Sequence, residues 1–181
     1  MPLMIDIAPL TSTPVTREES IGTDWCAERL GPIYRPVGTT LAVTIKVSRV
    51  ADLVEASGRV TGRFAFECSR CVTDAELAVD AEFEHHFVGA GQLDAGDEDD
   101  DNFDADPDVS EHDGVRVDIE EIAIQHVLLA LPEAPVCADD CKGLCPVCGT
   151  DRNRESCSCA LPKSADSRWA GLSQIKIDPK G

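Results

Sequence analysis

The sequence predicts an α+β fold, an antiparallel β-sheet core covered by one main helix, with a cysteine-rich module at the C-terminal end. Three observations carry this reading. Leu41, Val43, Ile45 and Val47 alternate with Ala42, Thr44, Lys46 and Ser48, the period of a half-buried strand. Residues 118–131 place Ile119, Ile122, Ala123, Ile124, Val127, Leu128 and Leu131 at helical spacing. Eight of nine cysteines are clustered, two at positions 68 and 71 and six within residues 137–159.

The elements follow in order. Residues 1–38 hold five prolines and three glycines and predict an irregular arm laid over the domain, with at most a short helical turn near 17–20. The core spans 39–136. After the strand at 41–47 come residues 53–56 and then 59–67, in which Val60, Phe64 and Phe66 supply strand-type bulk, with Gly58 and Gly62 marking a bulge or a close backbone approach. Cys68-Ser69-Arg70-Cys71 interrupts the pattern as a tight turn. Leu77, Val79, Ala81, Phe83 and His85 resume the alternation and pair back as a hairpin. His85 and His86 are adjacent in a strand and face opposite sides, so they do not share a metal; a strand end near solvent is expected. In the helix, Asp118 is placed to cap, Glu121 to complete a capping box, and Pro132 to stop it. His126 is expected at the helix boundary and not as a ligand.

Charge narrows the function. The chain has 181 residues, 19.4 kDa and a formal net charge of −18, of which residues 91–121 carry −13. That size holds one domain and a small appendage. The run at 97–101, followed by Asp104, Asp106 and Asp108, repels itself and predicts a disordered acidic loop over 91–114. A calcium loop is disfavoured, because the central glycine and the twelfth-position glutamate are absent. Such a charge opposes broad binding to nucleic acid. No apolar stretch reaches 18 residues, so no membrane-spanning helix is expected. The first six residues lack a basic region followed by an apolar core, which points away from a secretory signal and towards the cytoplasm.

In a reducing compartment, clustered cysteines read as metal ligands and not as disulfides. Cys26 stands alone and is expected as a small apolar packer. Eight clustered thiols make two tetrahedral four-cysteine zinc sites. Cys145-Pro146-Val147-Cys148-Gly149 is a zinc knuckle, in which Gly149 lets the chain turn so that amides point at a thiolate. Cys157 and Cys159, two apart, face one side and close that site. Cys68 and Cys71 then join Cys137 and Cys141, tying the sheet turn to the segment after the helix. The long gap is no obstacle, since loop closure costs about 0.6 kcal/mol per doubling of length, whereas structural zinc returns roughly 10–16 kcal/mol. A rival partition puts Cys137, Cys141, Cys145 and Cys148 on one ion. An iron–sulfur cluster and a thiol redox pair at Cys68 and Cys71 are the other chemistries weighed. Closed all-thiolate sites lack the open position of catalytic zinc. The module at 137–181 is thus zinc-ribbon-like.

The residues Cys68-x-Arg70-Cys71, the helix ending Leu131-Pro132, and Cys137-x3-Cys141-Lys142-Gly143-Leu144-Cys145-Pro146-x-Cys148-Gly149-x3-Asn153-x3-Cys157-x-Cys159 resemble the YceD family of large ribosomal RNA subunit accumulation proteins. Asp166-x-Arg168 with Leu172 resembles the family's tail, and the likeness runs from about residue 40 to 172. The resemblance implies a cytoplasmic, non-enzymatic factor needed for synthesis, processing or stability of 23S ribosomal RNA. Lys142, Arg152, Arg154, Lys163 and Arg168 sit in or beside the cysteine module and are the candidate contacts to a partner or RNA. The acidic segment suits a basic ribosomal protein or an assembly intermediate better than RNA, so direct RNA binding is expected to be weak. The alternative reading is a zinc-thiolate redox or metal-sensing switch. An RNA-processing enzyme would need a carboxylate cluster or a His-rich pocket outside the acidic loop, and the sequence supplies neither.

Overall fold

The computed structural model describes residues 3–93 and 107–159. It is mostly β: β1 (Met4–Asp6), β2 (Val15–Gly22), α1 (Cys26–Arg29), β3 (Tyr34–Pro36), β4 (Thr40–Val50), β5 (Leu53–Glu67), β6 (Asp74–Gly89), β7 (Val109–His112), β8 (Arg116–Asp118) and α2 (Ile119–Ala130). The main sheet runs β2-β4-β5-β6-β7. β3 continues along the edge of β5 where β4 has ended, and β1 pairs with β8 as a separate two-stranded ribbon.

The predicted alternation sets the buried face. Leu41, Val43, Ile45 and Val47 of β4 are buried, as are Val54, Ala56, Val60, Phe64 and Phe66 of β5 and Val79, Ala81, Phe83 and Phe87 of β6. Gly58 is opposite Phe83 in the register, and a Cβ there would run into the Phe83 ring and stand 2.7 Å from the Thr44 carbonyl oxygen. The glycine therefore marks a close approach, as expected. α2 packs against β6, β5 and β1, burying Ile119, Ile122, Ala123, Ile124 and Val127. Asp118 caps it by accepting the Glu121 N–H at 3.1 Å. The Glu121 carboxylate turns instead to Arg29, which holds it in two contacts of 2.8 and 2.9 Å and draws its pKa below the usual carboxylate range. His126 sits half-buried with its ring 5.8 Å from that of Phe83.

Four expectations need correction. The N-terminal segment is not irregular: it holds four elements, and residues 17–20 lie in the middle of β2, paired with β4 from Val15↔Val47 to Gly22↔Thr40. Only Ile21 of β2 is buried, so the strand has no two-residue hydrophobic signature and is held by backbone pairing. The sheet is not wholly antiparallel, because β7 pairs parallel to β6. β7 lies inside the segment expected as an acidic loop; the run at 97–101, with Asp104 and Asp106, lies outside the described residues. Finally, His85 is buried, not solvent-facing; its Nε2 is 2.8 Å from Ser110 Oγ of β7 and its ring 4.8 Å from that of Phe87. Cys26 packs in the core as expected, its thiol pushed up to about 11 by burial and by Asp24. No helix among the described residues is long and apolar enough to cross a membrane.

Candidate metal centres

The long β5–β6 hairpin ends in the turn that carries Cys68 and Cys71. The chain reaches that turn a second time after α2, where the Ser69 N–H and hydroxyl both donate to the Pro135 carbonyl at 2.9 Å. That contact delivers Cys137 and Cys141 to the hairpin tip. The four sulfurs of Cys68, Cys71, Cys137 and Cys141 lie within 4.8 Å of one another, and so do those of Cys145, Cys148, Cys157 and Cys159. The division matches the one expected from spacing, and the rival grouping of Cys137 and Cys141 with Cys145 and Cys148 is not formed. Four sulfurs at about 2.3 Å from a tetrahedral zinc stand about 3.8 Å apart. Cys68 to Cys141 is 3.8 Å and Cys71 to Cys137 is 3.6 Å, so the donor set fits the ion.

The two clusters are built on one repeated unit. In the first, Cys68 N–H donates to Thr73 O at 2.9 Å and Val72 N–H to Cys68 O at 2.9 Å. In the second, Cys145 N–H donates to Thr150 O at 2.8 Å and Gly149 N–H to Cys145 O at 2.8 Å. The threonine hydroxyl follows suit, 2.9 Å from Cys71 Sγ and 3.2 Å from Cys148 Sγ. Both knuckles turn through a left-handed residue, Val72 at φ 59° and Gly149 at φ 73°. The sequence signal for this repeat is Cys-x-x-Cys-x-Thr at 68–73 and 145–150, a pattern visible only once the threonines are counted with the cysteines.

Amide donors prepare the sulfurs for a cation. Burial pushes the Cys68 thiol up, but the N–H groups of Cys137, Cys71 and Arg70 and the Cys71 thiol outweigh it and bring it down to about 6. Cys148 is also drawn down to about 6, first by the Thr150 hydroxyl and then by the Thr150 N–H and the thiols of Cys145 and Cys159. Other thiols of the two clusters go the other way. Cys137 rises to about 12, chiefly through Cys141 and Cys71, and Cys159 rises to about 12, chiefly through Cys148. Each cluster thus contains at least one thiol biased towards the thiolate form that ligates metal.

A small hairpin links the clusters. Leu144 bridges Asp151, Arg152 N–H donates to Gly143 O at 3.0 Å, and the knuckle of the second cluster forms its tip. Its base rests on the first cluster: Leu144 N–H donates to Arg70 O at 2.8 Å. Gly143, at φ 68°, lies so close to Arg70 that a Cβ would be 2.8 Å from its carbonyl oxygen. Arg70 in turn donates to the Asp139 and Cys141 carbonyls, both at 3.2 Å. Asn153 donates to Cys141 Sγ at 3.4 Å. Gly143, Thr73, Thr150 and the contacts of Asn153 and Arg70 were not legible as site features from spacing.

Of the candidate partner contacts, Lys142, Arg152 and Arg154 are exposed on this module, and Arg154 Nε is 3.5 Å from Asp151 Oδ2. Lys142 and Arg154 share one cleft beside the first cluster with Asp140 and Asp151, so charges of both signs meet there. Lys163 and Arg168, like Asp166 and Leu172, lie outside the described residues.

Fold and site define a mostly β protein with two four-cysteine clusters able to hold metal ions. Residues 56–176 match the family described as large ribosomal RNA subunit accumulation protein YceD, and the chain belongs to that family. It is similar to proteins named only as uncharacterized from Mycobacterium bovis and Mycobacterium tuberculosis, each 31% identical over 176 residues, covering 96% of this chain and 81% of the relative. A Mycobacterium leprae protein so named is 31% identical over 164 residues, covering 82% of this chain and 67% of the relative. No solved structure matches the chain.

Proposed function

We propose that this protein is a non-catalytic, cytoplasmic ribosome-biogenesis factor, with one structural zinc ion in each four-cysteine cluster. It supports synthesis, processing or stability of 23S ribosomal RNA by docking on a large-subunit protein or assembly intermediate. Membership of the YceD family carries the ribosomal part of this reading. The two clusters support the structural role of the metal. Each supplies four sulfurs to one ion, which leaves no open position for water or substrate. The first cluster also clamps the β5–β6 hairpin to the chain that follows α2. In the α+β reading, the sheet and helix form one unit, 39–136, onto which the zinc-ribbon-like module is fastened.

The partner follows from charge. A chain at −18, with −13 in residues 91–121, repels phosphate and attracts a basic protein surface. Any RNA contact falls to Lys142, Arg152, Arg154, Lys163 and Arg168, which act as a minor patch. The test is capture of the tagged full-length chain from cells at low salt, followed by sedimentation of the ribosomal particles. Enrichment with large-subunit precursors, and a lower 23S-to-16S ratio when the protein is depleted, are the expected results. Recovery only in free protein pools would overturn the docking reading.

One observation favours a second reading, a metal-thiolate switch. Cys148 is exposed and Cys157 and Cys159 are half-buried, so the second cluster is open to oxidants. Release of zinc and of a bound partner by mild peroxide would support it; resistance supports the structural role.

A further inference from the structure

We propose that Asn153 couples the two metal centres, so that filling the second cluster raises the metal affinity of the first. The inference rests on the zinc reading above. Asn153 lies in the eight-residue loop between Cys148 and Cys157, and closing the second cluster fixes the ends of that loop. Its side chain reaches the other cluster. Nδ2 donates to Cys141 Sγ at 3.4 Å and to Asp151 Oδ1 at 2.8 Å, while Oδ1 accepts the Lys142 N–H at 2.8 Å. Both amide donors and the acceptor are thus committed. The reversed amide would set an oxygen against the sulfur and the carboxylate and a nitrogen against an N–H, so the network fixes the orientation.

A purely local role does not account for the contact to Cys141. The turn 151–153 is already held by the Asn153 N–H donating to Asp151 Oδ1 at 2.9 Å. The bond to Lys142 extends the base of the small hairpin, and the bond to Cys141 Sγ reaches past it to a sulfur of the first cluster. An N–H donated to a thiolate stabilises the form that binds metal, and outer partners of this kind change affinity by about 10–100-fold. A loop ordered by the second ion presents this donor in place, while a loop freed by loss of the ion does not. Coupling of this kind is reciprocal, so the first ion strengthens the second by the same factor.

The test is zinc competition with a chromophoric chelator on the full-length chain, on Asn153→Asp, on Cys148→Ser and on the double variant. Asn153→Asp keeps the size of the side chain and an acceptor for Lys142 but removes the donor to Cys141. First-cluster affinity should fall about tenfold in Asn153→Asp. It should fall comparably in Cys148→Ser, and no further in the double variant. Cobalt(II) in the first cluster of Asn153→Asp should show a shifted sulfur-to-metal absorption while the far-ultraviolet circular dichroism of the sheet is unchanged. Wild-type affinity in Asn153→Asp, or losses that multiply in the double variant, would overturn the coupling and leave the zinc reading standing. Fewer than two zinc ions in the unaltered chain would overturn the zinc reading and the coupling with it.

Discussion

The two knuckles, 68–73 and 145–150, share a hydrogen-bond pattern and differ in what they join. The first sits at the tip of a long hairpin, and its remaining sulfurs arrive from Cys137 and Cys141, 66 or more residues away. The second finds Cys157 and Cys159 within fifteen residues of Cys145. Cys68, Cys71 and Cys141 are buried in the first cluster, whereas Cys145 is the buried member of the second. The same local chemistry therefore does two jobs. A distant partner makes the cluster a tertiary clamp, and a near partner makes it a staple within one loop. The left-handed residue reflects the same divide. The second knuckle uses glycine there; the first holds Val72 in a conformation that β-branched residues rarely take. The turn holds it there through the Val72 N–H bond to Cys68 O and the Cys68 N–H bond to Thr73 O.

This contrast sets an order of effects. Cys71→Ser should be the most damaging change: one zinc is lost and stability falls by more than about 4 kcal/mol, the range reserved for loss of a metal or buried network. Thermal unfolding with metal analysis reads both quantities, and a mild loss would make the two clusters equivalent. Gly143→Ala comes next. It forces a Cβ into the left-handed region and against the Arg70 carbonyl, and about 2 kcal/mol should be lost. Urea unfolding of the zinc-loaded protein measures it. A neutral result would show that the linking hairpin does not bear on the first cluster.

Cys148→Ser should remove one zinc and cost only about 1.4 kcal/mol, the equivalent of a tenfold loss of affinity at the surviving cluster. Hydrogen exchange should keep its slow amides in β4, β5, β6 and α2; their loss would mean that the staple also holds the sheet. Val72→Gly is the smallest effect and has the opposite sign. Relief of a left-handed valine is worth about 1–2 kcal/mol, and the entropy of an added glycine offsets about 0.5–1 kcal/mol. A net gain near 0.5 kcal/mol in urea unfolding is expected. A clear loss would show that the two turns are not interchangeable.

Much of this was legible in sequence because it depends on chemistry that survives without coordinates. The alternation in β4, β5 and β6 and the spacing of α2 report burial directly. The demand for four ligands per ion makes two sites of eight clustered cysteines whatever the fold, and the sulfur positions decide between the two partitions it allows. The parts that stayed hidden depend on partners far along the chain. β2 buries one residue of eight, so its strand character resides in backbone pairing with β4. β7 is four residues inside an acidic stretch, and its parallel pairing to β6 has no local signature. His85 reads as a strand end until Ser110 is placed beside it. Asn153 stands out only as part of a family motif until Cys141 is seen within reach of its amide.

The division of the eight cysteines into a clamp and a staple is tested most directly by native mass spectrometry with thiol footprinting of the unaltered chain and of Cys148→Ser. The account predicts two zinc ions in the first and one in the second. In Cys148→Ser, Cys145, Cys157 and Cys159 should become reactive while Cys68, Cys71, Cys137 and Cys141 stay protected. A single zinc in the unaltered chain, or exposure of Cys137 and Cys141 with Cys157 and Cys159 still protected, would contradict it.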